Sequence, residues 1–104
     1  MTYVKAAELR ELKEGKAKCA RTKTERIVLV KLDGEIYAME DRCTHDDAPI
    51  CGGEIENGAI VCPRHGAKFD IKTGEALSLP ATESLEIYKV RVNAGDVEVE
   101  TEQS

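Results

Sequence analysis

Four cysteines and two histidines carry most of the chemistry open to this chain: Cys19, Cys43, Cys51, Cys62, His45 and His65. Both histidines follow a cysteine closely. One group reads Cys43-Thr44-His45 and the other Cys62-Pro63-Arg64-His65, with sixteen residues between His45 and Cys62. Each group offers one thiolate and one neutral imidazole, which together suit a metal centre. The chain has no other histidine, so two in register argue against chance. Two cysteines and two histidines could hold a tetrahedral zinc ion. The C-x-H spacing is unusual for zinc modules, which present paired ligands at finger or knuckle spacings.

These residues need a scaffold that brings two loops together, and the flanking sequence describes one. Residues 3–5, 16–21, 26–32 and 35–40 read as strands. Residues 6–13 read as a turn or two of helix ended by Gly15. Asp33-Gly34 joins two of the runs, which is a strong hairpin signal. Residues 41–53 have no periodicity. Residues 54–55 and 59–61 flank Asn57-Gly58 as a second hairpin. Residues 68–71 and 75–79 flank Lys72-Thr73-Gly74 as a third, and 85–92 with 97–100 make a fourth. Many short strands joined by tight turns predict an all-β fold, a small antiparallel sandwich or barrel. The loops at about 41–53 and 62–69 project from one end, where functional residues belong. Gly52-Gly53 closes the first of them by a turn.

The two-loop pattern, with a hairpin between the loops, resembles the Rieske-type [2Fe–2S] proteins. The resemblance covers most of the chain and implies a cofactor of one [2Fe–2S] cluster. It implies that Cys43 and Cys62 hold one iron and that His45 and His65 hold the other, near the surface. Replacing two thiolates by imidazoles lowers the negative charge at the cluster and raises its potential above that of a four-cysteine centre. Respiratory members of the family tie the two loops by a disulfide. At the matching positions this chain has Ala48 and Arg64, so that bridge is absent. Ala67 and Phe69 stand where high-potential members carry hydroxyl groups, and Asp46 and Asp47 add negative charge. All of these point to the low end of the Rieske range, toward about −150 mV. That pattern is similar to the ferredoxins of ring-hydroxylating dioxygenase systems. By this resemblance the chain takes electrons from a flavin reductase and gives them to a terminal oxygenase, with no catalytic residue of its own. Alternatives are the small Rieske subunit of an assimilatory nitrite reductase and a structural zinc module.

Composition agrees with a small folded carrier. The 104 residues are 41% hydrophobic and 34% charged, with both signs mixed, which is globular and fits one domain over residues 1–104. Twenty acidic against fifteen basic residues give a net charge of −5. No basic stripe marks a nucleic-acid binder. The longest apolar run, residues 27–30, is far short of the ~20 residues that span a bilayer. The first residues contain no hydrophobic signal core. The expectation is a soluble, cytoplasmic monomer that contacts protein partners and no membrane. Its thiols should then stay reduced. Cys19 is expected on the inner face of its strand as a small buried hydrophobe, and Cys51 near the cluster loops. Tyr3, Tyr37 and Tyr88 read as core edges.

Overall fold

The short apolar run at residues 27–30 forms the middle of the structure. The computed structural model describes residues 2–44, 48–79, 81 and 83–101. In chain order its strands are β1 (Thr2–Glu8), β2 (Ala17–Arg21), β3 (Arg26–Leu32), β4 (Glu35–Glu40), β5 (Ile55–Glu56), β6 (Ala59–Val61), β7 (Lys68–Asp70), β8 (Ile87–Tyr88), β9 (Val90–Asn93) and β10 (Asp96–Thr101). Ile27, Val28, Leu29 and Val30 on β3 are all fully buried. Successive side chains on a strand point to opposite faces, so this run needs cover on both sides.

Three antiparallel sheets supply that cover. The central one has the order β2-β3-β4-β8. Against one face lies the sheet β1-β10-β9, and Ile27 and Leu29 pack there with Ala7, Ala38, Val97 and Val99. Against the other face lies the small sheet β5-β6-β7 with the loops around it. Val28, Val30 and Met39 pack there with Ile50, Ile60, Phe69 and Ile71. The all-β expectation is met. The Asp33-Gly34 and Asn57-Gly58 turns form as two-residue hairpins with both φ values positive, at 53° and 81° and at 48° and 79°.

Four local expectations are corrected. The helix expected at residues 6–13 shrinks to one 3-10 turn, Leu9–Glu11. β1 instead runs on to Glu8 because Ala7 pairs with Val97 and is buried beside it, after a register shift between Lys5 and Ala7. Residues 75–79 do not form a full strand. Ala76 makes a single bridge to Phe69, and the Ser78 hydroxyl accepts from the Lys68 amide in place of a backbone carbonyl. Residues 85–92 do not form one strand either. The chain changes sheets at Lys89, with β8 pairing β4 and β9 pairing β10. Finally, Cys19 is exposed, and it is joined to Cys51 in a disulfide across 5.1 Å between Cα atoms. It shares a strand face with Ala17, which packs toward the loop-side core, but it sits at the sheet edge where that core ends.

Candidate metal centre

Two loops open on buried cysteines and close five residues later. The Cys43 amide donates to the Ala48 carbonyl at 2.7 Å, and the Cys62 amide donates to the Ala67 carbonyl at 2.7 Å. Cys43 and Cys62 lie in one core cluster with Met39, Ile50 and Phe69. A thiolate in apolar surroundings is costly unless a cation neutralises it. Beyond Cys62 the second loop turns outward. Pro63, Arg64, His65 and Gly66 are exposed, and Ala67 returns to the interior. The loop therefore holds its sulfur inside and its imidazole outside. His45, with Asp46 and Asp47, lies outside the described residues. The structure thus brings Cys43 and Cys62 into one core and sets His65 at a surface tip.

The supports of the loops are specific. Asp41, only 5% exposed, accepts from the amides of Ile50 at 2.6 Å and Cys51 at 2.9 Å through one oxygen, Oδ1. Its own amide donates to the Arg26 carbonyl, which fixes it to the end of β3. One carboxylate thus holds both ends of the first loop. Farther along, the Thr44 hydroxyl donates to the Glu83 carbonyl at 2.7 Å. The second loop is bounded by the ladder pair Val61 and Lys68. Its Gly66 takes φ 75° as its amide donates to the Cys62 carbonyl at 2.9 Å. Gly53 marks the place where the two loop regions touch: a Cβ there would overlap the Val61 carbonyl oxygen.

Sequence reasoning missed Asp41 and Thr44 as supports and the joining of Cys19 to Cys51. A carboxylate at a strand end, next to a loop rich in orphan amides, is a legible signal for Asp41. A pair of cysteines left over once Cys43 and Cys62 are set aside as candidate ligands was the signal for the disulfide. Tyr37 and Tyr88 flank the cores as expected, and the Tyr88 phenol is pushed well above its ordinary pKa, first by burial and then by its hydrogen bond to Glu25. The Tyr3 ring stacks under the Arg91 guanidinium, 4.2 Å from its centroid.

Two buried cysteines in one core, each opening one of two matched loops, with a histidine exposed on one of these loops, would suit a centre held by both thiolates and imidazoles. Residues 2–89, which include both loops, match the Rieske [2Fe-2S] domain, and the chain belongs to that family. The particular relatives are ferredoxins. The ferredoxin subunit of 3-phenylpropionate/cinnamic acid dioxygenase from Shigella flexneri is 41% identical over 99 residues, covering 93% of this chain and 92% of that one. The Sphingomonas yanoikuyae B1 ferredoxin superposes with a TM-score of 0.90 at 26% identity, over 96% of this chain and 99% of that one. A chain from the complex of reduced oxygenase and oxidized ferredoxin in carbazole 1,9a-dioxygenase superposes with a TM-score of 0.84 at 30% identity, over 93% and 91%. The cofactor is accordingly a Rieske-type [2Fe–2S] cluster, and the protein is an electron-transfer component rather than an enzyme. Among the described residues, no helix is long and apolar enough to cross a membrane.

Proposed function

We propose that this chain is the Rieske ferredoxin of a multicomponent oxygenase, and that it carries single electrons from a flavin-dependent reductase to a terminal oxygenase acting on an aromatic compound. The observation that carries the reading is the 41% match, along nearly the whole of both chains, to a dioxygenase ferredoxin subunit. It favours this role over the nitrite reductase subunit and the zinc module. When bound, the [2Fe–2S] group supplies a one-electron couple.

Cys43 and Cys62 would hold it from within the core, and His45 and His65 from the outer side. The chain serves as one Rieske unit whose loops, about 41–53 and 62–69, do this work. The exposed His65 gives a partner protein a contact next to the redox group. Ala67 and Phe69, both fully buried, bring no hydroxyl to the second loop. Fewer hydrogen bonds to the ligand sulfurs stabilise an added electron less, as does negative charge at Asp46 and Asp47. The couple therefore belongs at the low end of the Rieske range. The reading also makes the protein a cytoplasmic monomer.

An anaerobic redox titration followed by EPR tests it. The expected result is a reduced-state signal with average g below the free-electron value, appearing only at low potential. A signal at high potential overturns the tuning by Ala67 and Phe69. An EPR-silent protein with one bound zinc overturns the carrier itself. His65→Ala and His45→Ala should each abolish or strongly alter the signal, and an unchanged spectrum would refute that ligand.

A further inference from the structure

The Cys19–Cys51 pair plays no part in the electron-transfer reading, and its setting has features of its own. It joins β2, the edge strand of the central sheet, to the end of the first loop, across 32 positions of sequence. Cys51 is half-buried against the core that contains Cys43 and Cys62, whereas Cys19 is exposed. A surface hollow of about 390 Å³ opens at Cys19, lined by Ala20, Arg21, Arg26 and Asp41. Both sulfurs lie within 4.8 Å of an Asp41 oxygen, and Asp41 is the residue that fixes Ile50 and Cys51. Exposed disulfides exchange more readily with thiols than buried ones. A second hollow reaches Cys51, but of the two halves Cys19 is the exposed one and Cys51 the half-buried one, so attack is favoured at Cys19, and the bond is mechanically connected to the first loop.

We propose that Cys19–Cys51 is a thiol–disulfide exchange site that receives a small, negatively charged thiol at Cys19, and that its state sets how firmly the first loop is held. The hollow is wide enough for a peptide-sized thiol. Two arginines, Arg21 and Arg26, line the hollow against the one carboxylate of Asp41, whose Oδ1 is engaged by two amides, so the net charge there favours an anionic thiol. The thiolate attacks Cys19 Sγ. The Cys19–Cys51 bond breaks, a mixed disulfide forms at Cys19, and Cys51 leaves as a thiolate that takes a proton from water. A second thiol molecule then attacks the mixed disulfide, frees Cys19 as a thiol and departs as the symmetrical disulfide. Two electrons and two protons pass from two small thiols to the pair. With the bridge open, the Ile50 and Cys51 end of the loop keeps its bonds to Asp41 and the packing of Ile50 but loses its covalent tie to β2.

The test uses the native, cluster-loaded protein under anaerobic conditions. It is incubated with reduced glutathione, quenched with N-ethylmaleimide and read by peptide mass spectrometry. The expected result is a glutathione adduct at Cys19 and a maleimide at Cys51. Cys43 and Cys62 should remain unlabelled, the visible spectrum should persist, and oxidised glutathione should restore the bond. Arg21→Gln should slow the reaction with glutathione several-fold while leaving that with neutral mercaptoethanol unchanged. In the opened protein the Ile50 and Cys51 amides should exchange with deuterium on the order of tenfold faster, with the Cys62 amide unaffected. Adducts that appear only after denaturation overturn the site. An adduct at Cys51 overturns the direction of attack. Equal slowing of both thiols, or of neither, overturns the recognition of charge, and unchanged Ile50 and Cys51 exchange overturns the control of the loop. The site of the adduct, the rates with the two thiols and the Ile50 and Cys51 exchange do not depend on which residues hold the cluster.

Discussion

The two loops have the same span from cysteine amide to closing carbonyl, yet different forces hold them. The second connects β6 to β7, which pair with each other, so the ladder at Val61 and Lys68 fixes its ends before the loop begins. Backbone bonds and the left-handed Gly66 complete it. The first loop connects β4, in the central sheet, to β5, in another sheet. Among the described residues no ladder joins its two ends. Besides the backbone bond from Cys43 to Ala48, side chains do the work: the Asp41 carboxylate joins the two ends, the Thr44 hydroxyl ties the loop to Glu83, and the Cys19–Cys51 bridge ties its end to β2. A hairpin loop inherits its shape from its strands, whereas a crossover between sheets must be fixed residue by residue.

Substitutions can separate these two modes. The largest effect is expected where the loops are equivalent. Cys43→Ser and Cys62→Ser should each abolish the visible absorption of the cluster, and a variant with the wild-type spectrum would remove that cysteine from the centre. Asp41→Ala comes next. It strands two amides at the loop end, with a loss of about 3 kcal/mol measured by urea unfolding. Amide exchange should quicken at Ile50 and Cys51 and not at Cys62; quickening at both would mean that the loops are not held separately. Gly66→Ala should disturb only the second loop. A Cβ at φ 75° costs about 1–2 kcal/mol, although space is open there. Thr44→Val is the mildest, about 1 kcal/mol for one hydrogen bond, with the loss confined to the first loop.

The same contrast explains what the sequence revealed. The hairpins at Asp33-Gly34 and Asn57-Gly58 were legible because turn chemistry is local. That Cys43 and Cys62 open two matched loops was legible because each begins a short Cys-to-His group of distinctive spacing. Where tertiary contacts decide, the reading erred. Residues 6–8 have helix-compatible composition, but Ala7 is claimed by a core shared with Val97 and Val99. The strand read across residues 85–92 divides at Lys89 because two different partners, β4 and β10, compete for it. Asp41 looked like one acidic residue among many, since its role depends on amides nine and ten positions away. Cys19 was placed inside by alternation, which reports the face of a strand but not the distance from a sheet edge.

β3 has a consequence for how the protein comes apart. Ile27 and Leu29 belong to one core, while Val28 and Val30 belong to the core that contains both loop cysteines. Neither core can open fully while the other keeps this strand. Unfolding should therefore be cooperative, a single melt rather than an early loss of the loop end. The redox end draws its lifetime from packing on the far side of the central sheet.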